Sequence, residues 1–340
     1  MSEPVHLAAN NADLGGGEQM VVRTAEALLG LGRAAVVVAP DAPTDVLDAA
    51  AALGAGTVAI RADSRRDYLR RLRAWDRRER TGLLWCHGLL PSLATAGHGN
   101  RIVHLHQLPR SRTQLVALSV ARRGADRVLT PSSYLSSQVA GASTFLNWTD
   151  DVLHAAGRES RVPLPVGFLG RLSTDKGLDV LASALDRLGS GPDLVAAGDN
   201  RWVPDDQRAV VSRALRELGD RVEVVGRTDP ATFFDLVGLA VFPSRVPESF
   251  GLVVAEAMAA GVPFVASDAG ALPEVAGPGH PWVARAGDVD DLARVINDAL
   301  GATDDVRTAS VDAARARWEA EYSPDAGRRR VAALLKELGV

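Results

Sequence analysis

PSRVPESFGLVVAEAMAAGVPFVASDAG, residues 243–270, compresses a loop, a helix and a strand into one stretch. LAVFPS at 239–244 is an apolar run that ends at this Pro-broken loop, and it reads as a strand. Past Phe250-Gly251 the residues turn apolar with helical spacing over 252–260, and PFVAS at 263–267 reads as the next strand. A strand, a crossover helix and a second strand predict parallel pairing. The junction also points free backbone N–H groups and a positive helix end at whatever sits there. Phosphate is the natural guest. Glu248 lies in the loop and Glu256 eight residues on, inside the helix. Carboxylates do not bind phosphate, so these two should face neutral hydroxyl groups. Phosphate beside hydroxyls is the chemistry of a nucleotide sugar.

Outward from this unit the same alternation fills the chain. Strand candidates at 166–170, 194–198 and 222–226 precede it, with helices near 177–188, 205–218 and 230–236. Further upstream, VHLAAN, 34–40, 57–60, 82–87, 101–106 and 127–132 read as strands. Helices fit at 18–30, 45–53, 64–80 and 113–124. Pro163 and Pro165 punctuate a restart of the pattern near residue 160. We expect an α/β chain of two Rossmann-like, doubly wound parallel-sheet domains, 1–158 and 159–322, facing across a cleft. A last helix, from Pro324 to Leu338, follows a break at Tyr322-Ser323-Pro324.

Length and composition agree with this reading. A chain of 340 residues can hold two cores, and 46% hydrophobic with 24% charged residues is ordinary for a soluble globular protein. Cys86 stands alone, which suits a reducing cytoplasm. MSEPVHLAAN does not read as a signal peptide. Residues 81–100 carry no Lys, Arg, Asp or Glu, but Gly82, His87, Pro91 and Gly97 interrupt them, so they do not read as a membrane span.

The net charge of -4 hides an asymmetry: residues 1–155 hold 17 Arg and no Lys against 14 acids, and the remainder holds 21 basic against 28 acidic residues. RADSRRDYLRRLRAWDRRER at 61–80 has nine Arg against four acids. Two readings stand. Tyr68, Leu69, Leu72 and Trp75 form a stripe that can pack inward and leave a solvated basic face. Alternatively, that face meets anionic lipid or an acidic acceptor, as a peripheral contact at the inner membrane surface. A nucleic-acid partner is not expected.

Four constellations carry chemistry. Gly15-Gly16-Gly17-Glu18 lies between a strand and a helix, and reads as a plain tight turn or a helix-start anion site. Its spacing is not the dinucleotide fingerprint, and the triphosphate-binding loop pattern is absent from the chain. Gly170-Arg171-Leu172-Ser173-Thr174-Asp175-Lys176-Gly177 follows a strand. Arg171 and Lys176 there are either incidental surface bases or neutralise a diphosphate leaving group. Glu256 in its apolar helix needs a partner, which a ribose hydroxyl pair or a nearby Arg would supply. His104 and His106 share one face at the end of a strand, and His87 ends another. No Cys cluster or metalloprotease-type spacing accompanies them, so no metal is expected. Such histidines are structural, or in a cleft one donates to a sugar hydroxyl.

Taken together, these stretches resemble the family 4 glycosyltransferases, retaining enzymes of the two-domain GT-B fold. The markers are GGGEQMVVRTAEALLGLG, ADRVLTPSSYLSS (125–137), VGFLGRLSTDKGLDVLASAL (166–185), VVGRT (224–228) and PESFGLVVAEAMAAGVPFVASDAGALPEV (247–275). The resemblance implies that Arg171 and Lys176 bind the donor diphosphate and that Glu248 contacts donor-sugar hydroxyls. Ser249 and the Phe250-Gly251-Leu252 backbone would cradle the phosphate, and Glu256 would hold the ribose. Gly16 and Gly17 would line the cleft, and His106 would lie near the donor sugar and acceptor. Arg227 and Thr228 fall where the main chain meets the base. The last helix, 323–340, would cross back onto the first domain. One departure is Asn147-Trp148-Thr149-Asp150, where the family often reads N-G-V-D.

The expected activity is metal-independent transfer of a sugar from a UDP- or GDP-type nucleotide sugar to a hydroxyl of a glycan, lipid or small molecule, with retention and no cofactor. Two other readings are a nucleotide-sugar isomerase of the 2-epimerase kind and a non-catalytic sugar-nucleotide-binding partner.

Overall fold

The structure is a computed structural model, described here for residues 3–152, 165–189 and 191–340. The chain divides into two compact units, Met1–Trp148 with Pro324–Val340, and Thr149–Ser323. The boundary expected between 158 and 159 lies outside the described residues.

The first unit holds strands β1 (Val5–Ala8), β2 (Ala35–Pro40), β3 (Gly56–Ile60), β4 (Leu84–His87), β5 (Arg101–His104), β6 (Arg127–Thr130) and β7 (Ser143–Thr144). Helices α1 (Gly16–Gly30), α2 (Asp45–Ala52), α3 (Arg65–Arg78), α4 (Leu89–Ala94), α5 (Arg112–Ala121) and α6 (Ser133–Gln138) alternate with them. The strands pair in parallel in the order β3-β2-β1-β4-β5-β6-β7. β1, β4 and β5 are buried along their whole length, as a parallel sheet covered on both faces demands. Tyr68, Leu72 and Trp75 of α3 pack into the cluster of Val38, Ile60 and Leu84, so the inward stripe of the basic helix is real.

The second unit repeats the plan. Its strands are β8 (Val166–Leu169), β9 (Leu194–Ala197), β10 (Val222–Gly226), β11 (Leu239–Phe242), β12 (Phe264–Ser267) and β13 (Val283–Ala284). Its helices are α7 (Leu178–Arg187), α8 (Asp205–Glu217), α9 (Pro230–Asp235), α10 (Leu252–Ala260), α11 (Leu272–Ala276), α12 (Val289–Leu300) and α13 (Asp304–Arg317). The sheet is parallel, ordered β10-β9-β8-β11-β12-β13. Both sheets reverse direction of growth beside their first strand. That switch point, at the carboxyl ends of β8 and β11 in the second unit, is where ligands collect in open α/β sheets.

After α13 a π-helical turn, Trp318–Tyr322, and an extended Ser323 end the second unit. Helix α14 (Pro324–Leu338) then packs against α1 in the first. The Trp148 departure has a structural reason: Trp148 is buried against Gly327 of α14, where a Cβ would fall 2.3 Å from the indole. Its neighbour Thr149 accepts from Trp318 Nε1 at 2.7 Å and donates its N–H to Tyr322 O at 2.9 Å. Among the described residues, no helix is long and apolar enough to cross a membrane.

Candidate functional site

In the second unit the loops after β8, β11 and β12 are pressed together. Gly177, at φ 73°, opens α7, and a Cβ there would lie 1.9 Å from Pro243 O. Arg245 N donates to Asp175 O at 2.9 Å. Glu248 bridges to Gly270, whose own Cβ would collide with the Glu248 backbone at 2.5 Å. Glycine at these two positions is what permits the close approach.

This clamp joins residues 72 apart: Lys176 Nζ donates to Glu248 Oε1 at 2.6 Å, and Ser244 Oγ donates to the same oxygen at 2.6 Å. Burial raises the Glu248 carboxyl, but the Lys176 charge, the two donors and the Arg171 charge outweigh it and hold the group below the usual carboxylate range. Lys176 keeps two N–H groups for other acceptors, and Glu248 keeps Oε2. Arg171 is exposed and makes no ion pair among the described residues. Phe250 is buried edge-on against Tyr322, 5.4 Å between ring centres, so it offers a ligand only its backbone. Gly251, at φ 106°, caps α10, leaving the Leu252 and Val253 N–H groups in its first turn. Ser249 is half-buried just before the cap, and Glu256 is buried one turn into α10. Arg227 and Thr228 follow β10, with Arg227 Nε 3.8 Å from Asp199 Oδ2.

In the first unit, α1 begins at Gly16, two residues before the predicted start. Glu18 is buried in its first turn and accepts from Asn11 N at 3.0 Å and Asn11 Nδ2 at 2.8 Å. A Cβ on Gly17 would sit 3.4 Å from the His106 ring. β5 ends at His104, so His106 lies beyond the strand rather than at its end. The register His87↔His104 nonetheless brings three rings together, His87 stacked on His106 and His104 tilted against both. His87 Nδ1 and His106 Nε2 share a hydrogen bond of 3.0 Å, and the His104 and His106 ring centres are 4.3 Å apart. Burial pushes all three pKa values down, His106 to about 4, so the rings are neutral near pH 7.

Neutral imidazoles are the metal-ligating form, and these three offer nitrogens within 4.8 Å of one another. The outer shell opposes a metal. Trp85 Nε1–H donates to His104 Nδ1 at 3.3 Å, which puts the His104 proton on Nε2. Ligation through Nε2 would need a proton on Nδ1, facing the indole N–H. That tautomer disfavours ligation through His104 Nε2, while His87 Nε2, His104 Nε2 and His106 Nδ1 are buried without a hydrogen-bond partner among the described residues.

Comparison with known proteins follows the same lines. Residues 164–302 match the family described as Glycosyl transferases group 1. D-inositol 3-phosphate glycosyltransferase of Mycobacterium marinum is 32% identical over 168 residues, 46% of this chain and 35% of that protein. The chain spans about a third to a half of the length of the first curated relatives it matches. Among solved structures, Anabaena HepE in complex with UDP-glucose superposes with a TM-score of 0.85 at 20% identity, covering 99% of this chain and 100% of that one. Sucrose-phosphate synthase of Thermosynechococcus elongatus gives 0.83 at 20%, covering 99% of both. The two parallel-sheet units are the GT-B architecture. The similarity to the group 1 glycosyl transferases thus lies in residues 164–302, and the fold of the chain is shared with GT-B structures.

Proposed function

We propose that the chain is a retaining, metal-independent glycosyltransferase of the family 4 kind, moving a hexose from a UDP- or GDP-type donor to an acceptor hydroxyl in carbohydrate biosynthesis. The observation that carries this reading is the Lys176–Glu248 pair. One salt bridge leaves two ammonium N–H groups for diphosphate oxygens and one carboxylate oxygen for sugar hydroxyls. It also neutralises a carboxylate that would otherwise repel the phosphates. Arg171 and the α10 N-terminus, with the Ser249–Leu252 backbone, add the remaining positive potential for the leaving group. Glu256 accepts from the ribose hydroxyls, and the Arg227-Thr228 main chain meets the base. Gly16 and Gly17 open α1 with bare N–H groups as a second anion-facing helix start. His106 is the first unit's candidate donor to a sugar hydroxyl.

The sugar C1–O bond to phosphate breaks while the acceptor oxygen bonds C1 from the same face. The acceptor proton passes to the departing phosphate, so no carboxylate nucleophile is required. Incubation with UDP- and GDP-hexoses and an acceptor panel tests this by the anomeric configuration of the product. Retention, undiminished by excess chelator, is expected. Inversion or a strict metal requirement would contradict the reading.

The lone buried Cys86 accords with a cytoplasmic protein. The exposed arginines of α3 suit peripheral contact with an anionic inner membrane face and a lipid-borne acceptor. There Arg66, Arg70 and Arg73 rim a groove of about 380 Å³ floored by Leu69, Leu93 and Ala94. Co-sedimentation with anionic but not zwitterionic vesicles, lost in Arg66→Glu/Arg70→Glu, is the expected result.

A further inference from the structure

Trp202 is 84% exposed, whereas the other five tryptophans, Trp75, Trp85, Trp148, Trp282 and Trp318, are buried. It also sits at φ 63°, in the left-handed region that a bulky side chain avoids. The turn is closed by Val203 N donating to Asn200 O at 3.1 Å, with Val203 buried behind it. Trp202 thus occupies the third turn position, where positive φ selects Gly or Asn. A large apolar ring, held in water on strained backbone, gains the fold nothing. Such outliers concentrate at ligand sites.

The surroundings point to a ligand. The turn follows the carboxyl end of β9 and is stitched to two loops already assigned to the donor. Leu172 N donates to Asp199 O at 2.9 Å, beside Arg171, and a Cβ on Gly198 would lie 1.8 Å from Gly170 O. On the other side Gly198 N donates to Gly226 O at 2.7 Å, beside Arg227. Asp199 Oδ2 holds Arg201 Nε at 2.9 Å, with Arg227 Nε 3.8 Å away. These contacts fix the Trp202 turn beside the backbone of Arg227 and Thr228, at the carboxyl edge of β8, β9 and β10.

We infer that Trp202 is the stacking platform for the nucleobase of the donor. A base is a flat aromatic ring, and stacking on an exposed indole strengthens binding whatever its hydrogen-bonding edge. Arg201 and Arg227 stand beside the turn as donors to such an edge. The inference rests on reading the second unit as a nucleotide site, and it adds a residue that neither the glutamates nor the phosphate-facing bases supply.

Trp202 is the indole open to aqueous quenchers, so iodide quenching of fluorescence reports it selectively. UDP, GDP and pyrophosphate are titrated into the wild type, Trp202→Ala and Trp202→Phe. We expect UDP or GDP to shield the wild-type indole and pyrophosphate to leave it open. Trp202→Ala should weaken the nucleotide by about 5- to 150-fold, with pyrophosphate affinity unchanged, and Trp202→Phe should retain most of the wild-type affinity. Trp202→Gly, which relieves the backbone, should melt no lower than wild type yet bind nucleotide as weakly as the alanine variant. Equal nucleotide affinity in wild type and Trp202→Ala would overturn the inference and leave the nucleotide reading standing. A parallel loss of pyrophosphate binding, or shielding by acceptor sugars alone, would overturn it too. If neither nucleotide binds the wild type, the reading beneath it falls first.

Discussion

Glu248 shows how much chemistry one side chain can hold. Its carboxyl titrates below the usual range in the folded state because Lys176, Ser244 and Arg171 oppose the effect of burial. A depressed folded value means the unfolded chain binds the proton more readily. The stabilisation is therefore complete above the unfolded carboxylate value of about 4.3 and fades as pH falls through the folded one. Glu248→Gln should lose about 1–3 kcal/mol at pH 7 in denaturant titrations, with the gap to wild type narrowing below about pH 4. A gap that stays constant with pH would show that the pair does not act on folding. Arg171, Lys176 and Glu248 were each legible as candidates, since bases and acids after apolar runs stand out. Their coupling was not, because 72 residues separate Lys176 from Glu248 and only the parallel sheet brings their loops together. Trp202 escaped for the same kind of reason: exposure and positive φ are properties of the fold.

At the scale of elements, the loops between β8 and α7 and between β11 and α10 work as one clamp. Gly177 and Gly189 both adopt positive φ, at 73° and 63°, but a Cβ on Gly189 would meet nothing within 4 Å. Gly189→Ala should therefore cost only the backbone term, about 1–2 kcal/mol. Gly177→Ala must also push Pro243 away, so it should cost at least about 2 kcal/mol more and weaken nucleotide binding. Equal costs in chemical denaturation would mean the two loops are not clamped. Most elements carrying these loops were readable from apolar runs and helical spacing. β7 and β13 have two residues each, too few for any periodicity to show. α12 does display its spacing, at Leu292, Val295, Ile296 and Ala299, so that element was legible and simply lay beyond the motif-rich stretches.

Across the whole molecule, the alternation of strands and helices was enough to indicate two parallel sheets, but strand order is set by tertiary packing. The same holds for α14, whose final residues complete the unit where the chain began. Val331, Leu334 and Leu335 are buried there, at about 1.5–3 kcal/mol each. Deleting 324–340 should thus unfold or loosen the first unit, seen as rapid proteolysis within 3–148 while 165–323 persists. Uniform resistance would contradict the packing.

Arg171, Lys176 and Glu248 are proposed to form a diphosphate-sugar site in the second unit. Isothermal titration of UDP- and GDP-sugars into the wild type and Arg171→Ala/Lys176→Ala tests it most directly. Saturable binding of at least one nucleotide sugar is expected, weakened at least about 100-fold in the double variant, which should still unfold cooperatively but at a lower melting temperature because the Lys176–Glu248 pair is lost. Undiminished binding in the double variant, or none in the wild type, would contradict it.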